Sequence, residues 1–266
     1  QAGFPISDRF VIVNLAPASL PKQGSGFDLA IALVTLAASG HLPAKQLSET
    51  AYIGELGLDG SLRRPVGLLS AVIAAKQLGF AQVMVPLEGG AESRLVPGIT
   101  VIEAGDLAGA VAWHRGEAGN WRDTPNSNDQ VLSASASCGE RAGAPGDMSD
   151  VLGQPEAVEA MVIAAAGRHH ISLIGSPGSG KTRLATRLPS ILPDLSASES
   201  LTVSSIASLS GGAVKSLITR PPFEGPHHTA TSASILGSGD SRGVRPGSIT
   251  RACHGVLFLD EAPEFG

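Results

Sequence analysis

Eight consecutive residues, Gly175-Ser176-Pro177-Gly178-Ser179-Gly180-Lys181-Thr182, carry the most specific chemistry in the chain. They match the pattern G-x-x-x-x-G-K-[ST]. Glycines in such a stretch let the backbone turn tightly and aim its N–H groups at phosphate oxygens. A helix expected to start at Lys181 adds its positive end. Lys181 is then placed to reach the β- and γ-phosphates of ATP, and the Thr182 hydroxyl to bind Mg²⁺. The context agrees with this reading. The apolar run ISLIG before the loop reads as a strand, and KTRLATRL after it as a helix.

The second chemical cluster lies 78 residues downstream of Thr182, at Asp260 and Glu261. Val256-Leu257-Phe258-Leu259 reads as a central strand, and the two carboxylates emerge at its C-terminal edge. Ligands of open α/β sheets bind at that edge. Asp260 is expected to hold Mg²⁺ through water, and Glu261 to orient or deprotonate an attacking water. An apolar run ending in Asp-Glu is a weak signal alone; the Lys181 loop upstream gives it meaning.

The elements that must position these groups follow from periodicity. Gln154 to Arg168 reads as a helix with Val158, Met161, Val162 and Ala165 on one face. His170 to Ile174 reads as a strand, Lys181 to Leu188 as a helix and Gly255 to Leu259 as a strand. Strands joined through a helix are the raw material of a parallel sheet. The first half of the chain also alternates. Strands are expected at Phe10–Asn14, Ala81–Pro86 and Ile99–Glu103, and helices at Phe27–Ser39, Leu68–Leu78 and Leu107–His114. Tyr52–Leu58 and Ser61–Val66 flank Asp59-Gly60, a pair suited to a tight reversal. The fold class expected is therefore α/β. Between the halves, residues 117–146 are rich in Gly, Ser, Asn, Asp and Pro, and read as a linker. The domains expected are 1–116 and 147–266.

Composition narrows the function classes. The chain has 266 residues, 42% hydrophobic and 16% charged, with a formal net charge of −5. Residues 117–150 hold 2 Lys+Arg against 6 Asp+Glu, while the flanking segments are nearly balanced. No basic block argues for nucleic acid or an anionic membrane. The longest near-apolar stretches, Leu29–Ala38 and Ala160–Gly167, fall short of the ~18 residues of a membrane span. Two cysteines, Cys138 and Cys253, exclude a disulfide framework and a four-cysteine zinc site. The start QAGFPISDRF lacks a basic region, an apolar run and an initiator Met. The chain is read as a piece of a longer, cytoplasmic protein.

Three stretches carry a specific resemblance: DVLGQPEAVEAMVIAAAGRHHISLIGSPGSGKT, RPPFEGPHHTA and RPGSITRACHGVLFLDEAPEF. They resemble the magnesium-chelatase-like AAA+ ATPases, most closely the ComM/YifB type. VNLAPASLPKQGSGFDLAIAL and GELGLDGSLRRPVG resemble the N-terminal domain of the same family. The resemblance implies a ribosomal-S5-like first domain and a partial AAA+ core cut after its second motif. It also implies Mg²⁺-dependent ATP hydrolysis, a homo-oligomeric ring that is usually a hexamer, and work on single-stranded or branched DNA in recombination and competence. A chelatase-type protein-remodelling ATPase is the alternative, and nucleotide binding alone is the expectation for this stretch by itself. The family's sensor strand, arginine finger and lid would follow Gly266, and part of its first domain would precede Gln1. The family commonly has an arginine before Pro-His-His, where this chain has Glu224-Gly225-Pro226. That basic-to-acidic change is expected to weaken the loop's hold on an anion or partner.

Other residues in the chain have simpler readings. GELGLDGSLRRPVG also resembles the Lon protease domain, which would need a serine activated by lysine. Ser25 is the tempting nucleophile. The lysine would fall near Ala71, yet the first lysine of LLSAVIAAK is Lys76, so a non-catalytic fold is expected. His227, His228 and His254 lack a Cys or carboxylate at metal-ligand spacing and read as hydrogen-bonded loop residues. Cys253 reads as a packed side chain, and Arg242, Arg245 and Arg251 as a solvated face.

Overall fold

The computed structural model describes residues 11–16, 25–124, 146–240 and 243–265. The chain is mixed α/β and divides into two compact units. The first takes in the described residues up to 124 together with 207–216 and 239–244, and the second takes in the rest.

The first unit is built on a four-stranded sheet. Strand β1 (Thr50–Tyr52) pairs parallel with β4 (Gln82–Pro86), β4 pairs parallel with β5 (Thr100–Ala104), and β5 pairs antiparallel with β6 (Trp121–Thr124). A separate antiparallel pair, β2 (Glu55–Leu56) and β3 (Leu62–Arg63), flanks the turn at Asp59-Gly60. The helices are α1 (Asp28–Ala38), α2 (Ala44–Leu47), α3 (Leu68–Gln77), α4 (Gly90–Ser93) and α5 (Leu107–Arg115).

Helices cover both faces of the sheet, because its central strands are apolar on both faces. Met84 and Ile102 join Leu29, Leu33 and Leu36 of α1 and Val111 of α5 in one cluster. Their strand neighbours Val83, Val85 and Val101 point the other way and are equally inaccessible. Near-continuous apolar strands of this kind are the mark of a parallel sheet buried on both sides. Two carboxylates are buried with them, each beside an arginine. Glu92 is 2% exposed and takes the Arg64 guanidinium through two hydrogen bonds, of 2.5 and 3.0 Å. Glu103 is paired with Arg94.

The linker expected at 117–146 begins later than its composition suggests. Residues 121–124 form β6, with Glu103 opposite Arg122 and Ala104 opposite Trp121. The polar sequence WRDT hides an edge strand, which needs only one face covered and commonly carries charge. Glycine makes the approach feasible: a Cβ on Gly109 would lie 2.5 Å from the Asn120 carbonyl oxygen. Asp106 caps α5 by accepting from the Gly109 N–H at 2.7 Å and takes a second bond from Asn120 at 2.9 Å. The rest of that linker from 125 to 145, including Cys138, lies outside the described residues, as does Arg242. Residues 11–14 form no strand, contrary to expectation.

The second unit carries α6 (Pro155–Gly167), α7 (Lys181–Arg187), α8 (Ala197–Leu209), whose last residues group with the first unit, and the short helices α9 (Ser232–Leu236) and α10 (Ser248–Arg251). Met161 and Ala165 of α6 pack on Leu184 of α7 and on Met148 and Leu188. Val162, assigned by periodicity to the same face as Met161, is exposed instead. Strand β7 (Phe223–Glu224) pairs parallel with β10 (Val256–Leu257). Between them in sequence, β8 (Gly237–Asp240) pairs with β9 (Gly243–Pro246). Among the described residues, no helix is long and apolar enough to cross a membrane.

Burial sets a pH window for the first unit. The Tyr52 hydroxyl and His114 Nε2 lie 3.0 Å apart. Desolvation pushes Tyr52 up from 10.0 to about 12 and holds His114 below its ordinary 6.5. Below pH 6.5 the unfolded chain takes up the proton that buried His114 refuses, so stability falls with pH. Above pH 10 the unfolded tyrosine ionises first, so stability falls again as pH rises toward 12. Urea midpoints measured across pH should therefore peak between these limits. Tyr52→Phe should flatten the alkaline side and His114→Gln the acid side.

Candidate functional site

The site is assembled by the second unit from three chain segments. The first is the loop 175–182. Gly178 and Gly180 have φ of +79° and +85°, the left-handed region that glycine enters without strain. Gly180 directly precedes α7. The Lys181 ammonium folds over the loop and donates to the Gly175 and Ser176 carbonyls, each at 2.9 Å. A residue that sequence reasoning gave no role braces the loop: the Gln154 side-chain amide donates to the Ser179 carbonyl at 2.8 Å. Its position just before Pro155, at the start of a helix, was the only available signal, and that signal marks a cap rather than a brace.

The second segment is the end of β10. The Thr182 hydroxyl donates to Asp260 Oδ2 at 3.1 Å, which brings together residues 78 positions apart. Two hard oxygen donors side by side, both exposed, suit a Mg²⁺ ion that keeps several waters and phosphate oxygens in its shell. Glu261 follows with φ of +54°, a left-handed conformation unusual for a residue with a Cβ. Its carboxylate is turned to the third segment, the loop after β7, where the His228 Nδ1 lies 3.2 Å from Oε2.

Two expectations about this region, a strand at 170–174 and a solvated Arg251, are corrected. Residues 170–174 form no strand, and Ile174 is 94% exposed. A strand exists only through a neighbour, and β10 pairs with β7, leaving 170–174 without a ladder partner among the described residues. Arg251 is not a solvated group, and Glu224 is not a free acidic charge. Arg251 grips Glu224 through two bonds, of 3.1 and 2.9 Å, and also donates to the Ser248 hydroxyl at 3.0 Å and the Pro246 carbonyl at 2.9 Å. The fork geometry of guanidinium against carboxylate satisfies the Glu224 charge within the unit.

The histidines go to different partners. His228 meets Glu261, while His254 Nδ1 lies 3.5 Å from Glu199. Glu199 also accepts from Arg168 at 2.8 Å and from the Ser196 N–H and hydroxyl. These donors, Arg168 foremost, bring its carboxyl down to about 2. Among the described residues, no group of three or more His, Cys, Asp or Glu is placed to hold a metal by itself. In the first unit, Ser25 opens a single 3₁₀ turn, and the Lys76 ammonium donates to the Pro97 carbonyl.

Both halves of the chain match family models. A family model described as "Magnesium chelatase, subunit ChlI" matches residues 147–266, and one described as "Subunit ChlI of Mg-chelatase" matches residues 1–89. The chain thus belongs to the magnesium-chelatase-like proteins of the ComM/YifB type. An uncharacterised protein of Mycobacterium tuberculosis is 44% identical over 252 residues, 94% of this chain and 48% of the relative. The uncharacterised protein YifB of Escherichia coli is 38% identical, and the competence protein ComM of Haemophilus influenzae 36%. Each of these two alignments covers 100% of this chain and 50% of the relative. The chain spans about half the length of these relatives.

The Arg251–Glu224 fork should be measurable by itself. Both side chains are largely but not fully covered, so solvent screens the pair. Arg251→Met should destabilise the second unit by about 1–2 kcal/mol by leaving Glu224 unpaired. Adding Glu224→Gln should recover part of that loss, which a double-mutant cycle on denaturant midpoints would register as non-additivity.

Proposed function

We propose that the chain is the nucleotide-binding portion of an Mg²⁺-dependent AAA+ ATPase, with an S5-like first domain and a P-loop second domain. The observation that carries this reading is the meeting of the 175–182 loop with Asp260 and Glu261 through the 3.1 Å bond from Thr182. When bound, Mg²⁺ would neutralise phosphate charge and polarise the γ-phosphoryl group. The rest falls to residues of the chain. Backbone N–H groups from Gly175 to Gly180 cradle the phosphates. Lys181 exchanges its carbonyl partners for the β- and γ-oxygens, which it reaches as a compact point charge. Thr182 and Asp260 hold the metal. Glu261 orients a water in line with the γ-phosphorus and accepts its proton.

In the complete protein, hydrolysis is proposed to drive a ring, most often hexameric in this class, that moves branched or single-stranded DNA. The support is likeness to a relative named for competence, and a 30% identity over 112 residues to a protein named for DNA repair, RadA of Treponema pallidum. A second reading is a chelatase-type ATPase that remodels a protein partner, favoured by the description of the family model that matches residues 147–266. Ser-Lys peptidase chemistry is not proposed. A 48% identity to an archaeal Lon protease spans 46 residues, and Lys76 is engaged by Pro97.

Lys181→Ala should abolish binding of a fluorescent ATP analogue while leaving the circular dichroism unchanged. Glu261→Gln should keep that binding and slow turnover in the full-length protein by 10²-fold or more, on the order of what a lost general base costs. ATPase rates of the full-length protein, alone and with single-stranded DNA or a four-way junction across a salt series, separate the two readings. Stimulation that fades with salt marks phosphate contacts and a DNA motor. Basal turnover indifferent to DNA marks a protein substrate.

A further inference from the structure

Among the described residues, three that are not glycine hold left-handed backbones: Arg168, His254 and Glu261, with φ of +51°, +57° and +54°. Such a conformation persists where the surroundings impose it. Arg168 closes α6, at a helix end that is most often given to glycine. Two of the three side chains converge on one carboxylate. The Arg168 guanidinium donates to Glu199 Oε1 at 2.8 Å, and His254 Nδ1 lies 3.5 Å from the same oxygen. The other oxygen, Oε2, accepts from the Ser196 N–H at 2.8 Å and from the Ser196 hydroxyl at 2.7 Å. With both oxygens engaged and its side chain 17% exposed, Glu199 is a fixed point in the first turn of α8.

The two residues that meet on Glu199 stand at the feet of the two arms that build the candidate site. Arg168 is followed by 170–174 and then by the loop that opens at Gly175. His254 is followed by β10 and then by Asp260. The arms run seven residues from Arg168 to Gly175 and six from His254 to Asp260. Past them, Thr182 and Asp260 come together. Among the described residues, no ladder joins 170–174 to β10. Apolar packing keeps the arms close, since Leu173 and Val256 both touch the Met161 cluster. That force is non-directional and sets no register between them. A hydrogen bond has a direction, and Glu199 supplies one at the feet.

We infer that Glu199 is a positioning residue for Thr182 and Asp260. By gathering Arg168 and His254 on one carboxylate it fixes the register of the two arms, and through them the spacing of the two oxygens that would share Mg²⁺. The inference rests on the nucleotide-binding reading above. An exposed ion pair contributes little to stability, and the Arg168 side chain is 60% exposed. The value of the clamp is geometric, because a small octahedral ion tolerates little error in the placement of its ligands.

The test is binding of a fluorescent ATP analogue to the full-length protein as Mg²⁺ is titrated, with circular dichroism measured on every variant. Arg168→Met and His254→Asn should each raise the Mg²⁺ concentration for half-maximal binding by about tenfold, the scale on which residues behind metal ligands act. Asn is chosen because it accepts a left-handed backbone. Binding without Mg²⁺ should not change. Arg168→Lys, which keeps a cation on a long stem, should restore most of the first loss. One clamp opens when either end is released, so the double variant should again cost about tenfold, whereas independent stabilisers would multiply to about a hundredfold. A parental Mg²⁺ midpoint in either single variant overturns the inference. So does a loss that Lys fails to rescue, a multiplied loss, or a variant that loses its helical signal. Lys181→Ala separates the two levels. If it binds like the parent, or if parental binding ignores Mg²⁺, the nucleotide-binding reading fails along with the inference. If parental binding needs both Lys181 and Mg²⁺ while the clamp variants behave as the parent, only the inference fails.

Discussion

The hydrogen bond from Thr182 to Asp260 is the constraint on which the candidate site depends. It ties the first residues of α7 to the end of β10 across 78 positions of chain. Everything upstream serves to deliver one partner. Gln154 braces the loop, left-handed glycines bend it, and Met161 and Leu184 seat the helix that carries Thr182. Everything downstream delivers the other. The β7–β10 ladder fixes where Asp260 leaves the strand, and the Arg251–Glu224 fork anchors the strand that β10 pairs with. Neither group of interactions is strong alone. Their convergence puts a hydroxyl and a carboxylate within 3.1 Å.

The two units use charge in different ways. In the first, Glu92 and Glu103 are taken out of water and each is matched by an arginine, an arrangement that leaves little room for change because an orphaned buried charge is costly. In the second, carboxylates remain at least partly open and their partners differ in kind: a hydroxyl for Asp260, an imidazole for Glu261, a guanidinium for Glu224. Open carboxylates with a single partner can change partners at low cost. A site that must exchange protein contacts for phosphate and metal requires that property.

Much of this was legible in the sequence, for physical reasons that can be named. The 175–182 loop was legible because glycine, lysine and threonine at fixed spacing have few other uses. The buried helices Asp28–Ala38, Leu68–Gln77 and Leu107–Arg115 were legible because apolar spacing and a terminal glycine report burial and termination directly. Strand β6 was not, since an edge strand with one covered face needs no apolar alternation. Helix α8 escaped notice because ASESLTVSSIASL mixes serines into its buried face. Residues 170–174 were misread because apolar content reports burial potential and says nothing about a ladder partner. The meeting of His228 with Glu261 was out of reach, because it is made between two turns 33 residues apart in the chain.

The fork between Arg251 and Glu224 has a consequence for how such sequences diverge. Each residue removes the penalty of the other, so neither is free to drift by itself. A lineage that places a basic residue at 224 would face Arg251 across a short gap with like charge and would have to abandon that arginine as well. The two positions, 27 residues apart, are therefore expected to be inherited as a unit. Aligned relatives should sort into classes defined by the pair, and a chimera that joined one class's 224 to the other's 251 would inherit a conflict present in neither parent.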